Sequence, residues 1–215
     1  MGLSIIIYQW WRDISRERSL IGNHTFIVQL GLRSGISLFI VSELFFFLSF
    51  FWSYFHSSLR PNIELGGAWP PLGVFTFNAF GVPLLNRIIL LTSGLSVTWS
   101  HHSLIRRGYL GALLSLMFTI IIGVYFRCLQ WYEYLEARYT IRDRSYGSIF
   151  YIATGFHGIH VGIGTVFLSV SLVRLRLGRF SSSHHFGFEA ACWYWHFVDV
   201  VWLYLYLIIY WWGNN

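Results

Sequence analysis

The chain has 215 residues, of which 55% are hydrophobic, 20% aromatic and only 11% charged. A water-soluble domain carries about 25% charged residues, so this apolar excess would leave large greasy patches in water. That excludes a soluble globular protein, and the composition also excludes a disordered chain, a coiled coil and a collagen-like repeat. The class is integral membrane protein. All 15 basic residues are arginine, and nine acids leave a net charge of +6. The arginines stand in separate clusters between apolar runs, which fits loop charges facing anionic lipid headgroups rather than a nucleic-acid surface. The lack of lysine beside 20 phenylalanines fits the nucleotide bias of a small organelle genome.

In chain order, the first apolar run, Gly2 to Tyr8, is too short to cross a hydrocarbon core about 30 Å thick. It ends in Trp10-Trp11-Arg12, an aromatic-then-basic pair of the membrane-water boundary, and is read as a partial helix. Five runs are long enough to span: Ile27 to Phe55, Val82 to Ile105, Tyr109 to Tyr132, Ser145 to Val173 and Phe186 to Trp212. Pro83 opens the second in a helix's first turn. The fourth holds 29 residues without a formal charge, about 44 Å of helix, and must tilt or protrude. Continuous rather than alternating apolar runs exclude a β-barrel. The expected fold is all-α, a polytopic membrane bundle of about five transmembrane helices with a partial N-terminal helix. Residues 27–215 form the bundle, and residues 1–26 form the partial helix and a loop.

Between the first two spans, residues 60–81 carry Pro61, Gly66-Gly67-Ala68-Trp69-Pro70-Pro71, Gly73 and Gly81. These residues punctuate turns and bar a helix, predicting a compact cap at the membrane surface. Five crossings put the N-terminal region and the loops at 106–108 and 174–185 on one face. That face holds nine arginines, and the other holds six, together with Glu64, Glu133, Glu136 and Asp143. The arginine-rich face belongs where the chain is made, with the C-terminus opposite.

Glu43 lies in the middle of an apolar span, where an ionised and unpaired carboxylate costs several kcal/mol. A proton-accepting group, a lipid contact and a neutral acid bonded to a neighbouring helix are all open readings. His157 and His160 share one helix face, as do His196 and Asp199. A haem held between helices needs histidines from opposing helices, and zinc needs further N or S ligands. The expectation is an interhelix polar network of His157, His160, Glu189, His196 and Asp199 tying the fourth and fifth spans together. Gly147, Gly155, Gly158, Gly162 and Gly164 make the fourth span the expected close-contact element. Cys128 and Cys192 give no disulfide framework or CxxC pair. No Walker loop, GxSxG or HExxH pattern occurs, and no metal site is expected. Arg16, His24, Arg174, His184 and His185 are donors suited to lipid phosphates. A free-standing transporter would need broken helices or a polar pore, for which there are no repeated halves.

Several long segments resemble one family. They are Tyr8-Gln9-Trp10-Trp11-Arg12-Asp13, the helix of Ser42-Glu43, Phe55-His56-Ser57-Ser58-Leu59, Glu64-Leu65-Gly66-Gly67 with Trp69-Pro70-Pro71, and Val82-Pro83-Leu84-Leu85-Asn86. Downstream are Thr98-Trp99-Ser100-His101-His102-Ser103, Ala153-Thr154-Gly155-Phe156-His157-Gly158, His184 to Ala191, and Trp193 to Trp202. Together they resemble cytochrome c oxidase subunit 3 of the haem-copper oxidases over essentially the whole chain. The resemblance implies a non-catalytic core subunit of respiratory complex IV, the proton-pumping oxidoreductase that passes electrons from cytochrome c to oxygen. It implies no redox centre in this chain, with haem and copper in partner subunits. It further implies packing against the catalytic subunit 1 beside other oxidase subunits, and phospholipids bound in a V-shaped cleft. The implied location is the mitochondrial inner membrane, N-terminus in the matrix and C-terminus in the intermembrane space.

Carried over by motif, Glu43 corresponds to the family's buried membrane glutamate. Trp11, Arg16, His24, Phe39 and Arg174 lie at or near its lipid-contacting positions. The family has seven helices. Here the first is absent and the second survives from Gly2 to Trp11, so the expectation is an N-terminally shortened member in which a separate polypeptide supplies the missing arm or an extra subunit or lipid closes the cleft. Gly81, where the family often has an acid, and Arg138, where it has proline, suggest altered subunit contacts.

Overall fold

A computed structural model describes residues 2–17, 25–61, 63, 66–182 and 184–214. They fall into two units, one ending at Phe39 and the other beginning at Ile40. The first contains α1 (Gly2–Arg16) and the start of α2 (Phe26–Leu59). At 15 residues, α1 is about 22 Å long, short of a full crossing. Tyr8, Trp10 and Trp11 are exposed on it, and Arg12 Nε bonds Asp13 Oδ1 at 2.9 Å.

The second unit holds the rest of α2, then α3 (Val82–Ile105), α4 (Tyr109–Glu136), α5 (Arg144–Arg176) and α6 (Phe186–Leu205). A π-helical turn, Tyr206–Trp211, prolongs α6. Five helices are long and apolar enough to cross a membrane, and no strand occurs among the described residues. The fold is the expected all-α membrane bundle. One boundary differs with consequence. α4 runs one turn past Tyr132 to Glu136, so Glu133, expected as a loop charge, is only 1% exposed.

The helices meet most closely around Trp195 of α6. A β-carbon on Gly123 of α4 would stand 2.7 Å from the Trp195 ring, and one on Gly164 of α5 would stand 2.9 Å from it. Only a residue without a side chain leaves room for the indole at these two positions. The indole Nε1 donates to Ser93 Oγ of α3 at 2.9 Å, so one side chain joins four helices. α3 faces α4 with a stripe of small hydroxyls. Ser96 Oγ meets Thr119 Oγ1 at 2.7 Å, and Ser100 Oγ donates to the Ala112 carbonyl at 2.8 Å.

The α3–α4 turn and the end of α5 close in the same way. Gly108 N donates to Ser103 O at 2.8 Å, and Arg179 N donates to Arg174 O at 2.9 Å. These are the six-to-one bonds of a Schellman cap. The left-handed residue is Gly178 (φ 65°) in one and Arg107 (φ 61°) in the other. The described residues of the 60–81 segment fold over the opposite end as an irregular cap, with left-handed glycines at 66, 67 and 73. Trp69 Nε1 donates to the Tyr54 hydroxyl at 3.2 Å, and Phe77 packs against Tyr139 and Phe150.

Candidate functional site

Glu43 of α2 and His160 of α5 meet within the second unit, Oε2 to Nε2, at 2.8 Å. Residues 117 positions apart in sequence thus share one hydrogen bond. The other imidazole nitrogen, Nδ1, lies 2.7 Å from the Phe156 carbonyl. A carbonyl only accepts, so Nδ1 carries a proton. Nε2 then either donates to a carboxylate, as an imidazolium, or accepts from a carboxylic acid. Both arrangements are neutral overall, which is what a low-dielectric site favours. The Phe47 ring lies 5.0 Å from the imidazole, and Phe46 packs edge-on against Phe156 at 5.1 Å. The Glu43 side chain is 23% exposed, so it sits at the rim of the bundle.

The remaining histidines and acids form separate links rather than one cluster. His157 is fully buried and bonds the Val198 carbonyl of α6 through Nε2 at 3.2 Å. The carbonyl accepts, so Nε2 carries the proton. Its ring lies 4.9 Å from that of Trp202. His196 of α6 turns instead toward α3. Thr98 Oγ1 donates to Gly94 O at 2.9 Å, which leaves it to accept from His196 Nε2 at 3.1 Å. Asp199 packs against the Gly94 backbone, where any side chain would strike its carboxyl. At the arginine-rich end, His101 and His185 face each other Nε2 to Nε2 at 3.2 Å. His185 Nδ1 bonds the Ser181 carbonyl at 3.1 Å, so a neutral His185 accepts and His101 donates. Glu189 lies close enough to act on His101 electrostatically. Among the described residues, no three His, Cys, Asp or Glu side chains converge as a metal site.

The family profile described as cytochrome c oxidase subunit III matches residues 1–214. The chain is 62% identical over 210 residues to cytochrome c oxidase subunit 3 of Aedes aegypti, covering 98% of this chain and 80% of the relative. Against the Drosophila melanogaster protein of the same name, identity is 60% with the same coverage. Against that of the platypus, Ornithorhynchus anatinus, it is 61% over 207 residues, 96% of this chain and 79% of the relative. The chain belongs to the cytochrome c oxidase subunit III family. As such it is a membrane subunit of the respiratory oxidase complex, part of an oxidoreductase, with the other oxidase subunits as partners.

Membership in the cytochrome c oxidase subunit III family puts the expected lipid positions in context. Trp11 and Arg16 lie on exposed stretches of α1, and Phe39, also exposed, closes the first unit. His24 lies outside the described residues. Arg174 belongs to the second unit, its guanidinium 5.0 Å from the Phe180 ring, and it packs against Gly187 at the start of α6.

Two features escaped the sequence reading. The α3 stripe of Ser93, Ser96, Ser100 and Ser103 has helical spacing and was legible in principle. Glu133 gave no signal, because only the extra turn of α4 carries it inward.

Proposed function

We propose that this chain is a non-catalytic core subunit of the oxidase that steadies the catalytic subunit 1 and holds phospholipid against α2. The observation that carries the reading is the outer face of α2 within the second unit. Phe45 and Trp52 are 65% and 68% exposed, and with Leu48 and Ser49 they line a shallow apolar groove. On the opposite, inward face of α2, Glu43 is bonded to His160. A groove of this kind fits an acyl chain or an apolar helix, and membrane packing accepts either. Haem and copper belong to partner subunits in this reading, and the chain contributes scaffold and lipid. The family relatives extend beyond the matched region by about a fifth of their length. Further helices over α2, on this polypeptide or a separate one, complete the lipid cleft.

Sidedness follows the arginine count. The turn at Arg106 and Arg107 and the end of α5 at Arg174 and Arg176 lie toward the matrix of the mitochondrion, with the 60–81 cap toward the intermembrane space. In this reading Trp11, Arg16, His24, Phe39 and Arg174 contact lipids, each within its own unit, and Glu43 is the carboxyl of the membrane span.

Mass spectrometry of the polypeptides and lipids in the purified native complex tests the proposal. Expected are subunits 1 and 2 together with retained phospholipid. Arg174→Ala is expected to lower lipid retention and to speed loss of activity during turnover without changing the initial rate. Unchanged lipid and unchanged turnover lifetime in that variant would remove the lipid role. A small co-purifying protein with one or two apolar spans would assign the covering helices to a second chain.

A further inference from the structure

The end of the bundle beneath the 60–81 cap holds four polar side chains that the α2 link does not use. Glu133 lies in the last turn of α4, Asn86 in the second turn of α3, Tyr139 in the α4–α5 connection and Tyr210 in the π-helical turn. All four are 3% exposed or less. The Glu133 carboxyl approaches the Tyr210 hydroxyl and the Asn86 amide closely enough for a hydrogen-bonding interaction, and Tyr139, within electrostatic reach of Glu133, approaches Tyr146 in the same way, none of them in full hydrogen-bond geometry. Both carboxyl oxygens, both amide atoms and both phenol oxygens therefore lack a completed hydrogen bond. Buried polar groups are almost always satisfied, and each one left unmade costs about 1–3 kcal/mol. Six such atoms brought together from four stretches of chain are a site for a polar guest.

Backbone geometry supports the same conclusion. α6 does not continue as an α-helix to its end but widens at Tyr206–Trp211 into a π-helical turn. Such turns are rare and concentrate at functional sites. Here the turn includes Tyr210, which faces Glu133, while Tyr206 bonds the Ala79 carbonyl of the cap at 3.2 Å.

The balance of donors and acceptors selects the guest. The carboxyl and the amide oxygen accept, the amide nitrogen only donates, and the phenols do both. A cation would satisfy the oxygens and be repelled by the amide N–H pair. An anion would satisfy the donors and be repelled by the carboxyl. Water satisfies both sets, typically through about three hydrogen bonds. We propose that Glu133, Asn86, Tyr139 and Tyr210 form a buried water site, which places a hydrated, protonatable carboxyl inside the end of the subunit opposite its arginine turns.

The test is cryo-electron microscopy of the intact oxidase at a resolution that shows waters, with wild-type chain and with Glu133→Gln and Glu133→Leu. Expected is a density peak about 2.7–3.2 Å from at least two of the four groups, retained in E133Q and lost in E133L. Glu133 bonded directly to Tyr210 and Asn86 with no peak would overturn the site. So would a peak with oxygen neighbours at about 2.3–2.6 Å that vanishes when divalent cations are removed. If E133L fails to assemble, the wild-type and E133Q maps decide.

Discussion

Two seams of this bundle are built on opposite plans. Where α4, α5 and α6 meet, glycines at 123 and 164 let the backbones close on the Trp195 indole, and hydroxyls complete the contact from α3. Where α2 meets α5 and α6, phenylalanines act as spacers. Phe46 and Phe50 pack on Phe156, and Phe47 lies against His160 and Phe197. In a membrane no hydrophobic force favours one apolar contact over lipid, so association rests on close packing and on polar groups. The glycine seam has the first. The phenylalanine seam holds its helices apart, and its specificity rests on Glu43 and His160.

The glycine seam therefore tolerates least. Gly164→Val and Gly123→Val each force a branched side chain into the indole. Overpacking of this kind costs about 1–3 kcal/mol or more, and the expected outcome is loss of the subunit from the complex on native gels. Gly162 lies on the same helix as Gly164, yet a β-carbon there would meet nothing within 4 Å. Gly162→Val is expected to leave assembly intact. Equal damage from all three would show that helix propensity, not the indole, sets the result.

At the phenylalanine seam, Glu43→Leu strands the Nε2 of His160. The expected loss is about 1–2 kcal/mol, read as a lower temperature for release of the subunit. Glu43→Gln keeps a donor and an acceptor and is expected to lose less. Adding His160→Phe to E43L is expected to recover part of the loss, because both polar partners are then gone. Additive losses in this double-mutant cycle would mean the two side chains do not act as a pair.

Smaller still is Ser96→Ala, which removes the 2.7 Å contact with Thr119. Interhelix hydrogen bonds in membranes average about 0.6 kcal/mol, so the release temperature is expected to fall by less than in E43L. A larger fall would mean that the hydroxyl stripe, rather than the indole between its glycines, holds α3 to the seam.

The contrast between the seams was only half legible in the amino-acid sequence. Five continuous apolar runs gave the spans, and the glycines of α5 marked it as a packing element. Hydropathy does not say which glycine meets a facing side chain, so Gly164 against the Trp195 indole and Gly158 against Arg127 and Gln130 looked the same as Gly162. The serines of α3 show a helical spacing but only a weak hydropathy signal: Ser93 satisfies itself on the carbonyl of Leu90 and lowers the hydropathy of its helix only slightly. Glu43 stood out as a carboxyl among apolar neighbours. Its partner could not be read, because the pairing depends on how α2 and α5 pack and not on any local pattern. Arg16, His24 and Arg174 stood out as phosphate donors by their chemistry, whereas Trp11 and Phe39 came only from family resemblance.

The turn that closes the α3–α4 hairpin offers the smallest change and the opposite sign. Arg107 holds the left-handed position of a Schellman cap, at φ 61°, where the matching cap after α5 uses Gly178 at φ 65°. A side chain in that region costs about 1–2 kcal/mol, and glycine carries no such cost. The bonds around the turn are the same in both caps, so Arg107→Gly keeps the geometry while removing the strain. Its gain is reduced by the greater freedom glycine has in the unfolded chain, which leaves an expected stabilisation of less than about 1 kcal/mol and a slightly higher release temperature. Gly178→Arg is expected to lower that temperature by a comparable amount. If R107G instead weakens assembly, the guanidinium contributes more at this turn than its backbone strain costs, and its partner lies outside the bundle among headgroups or neighbouring subunits.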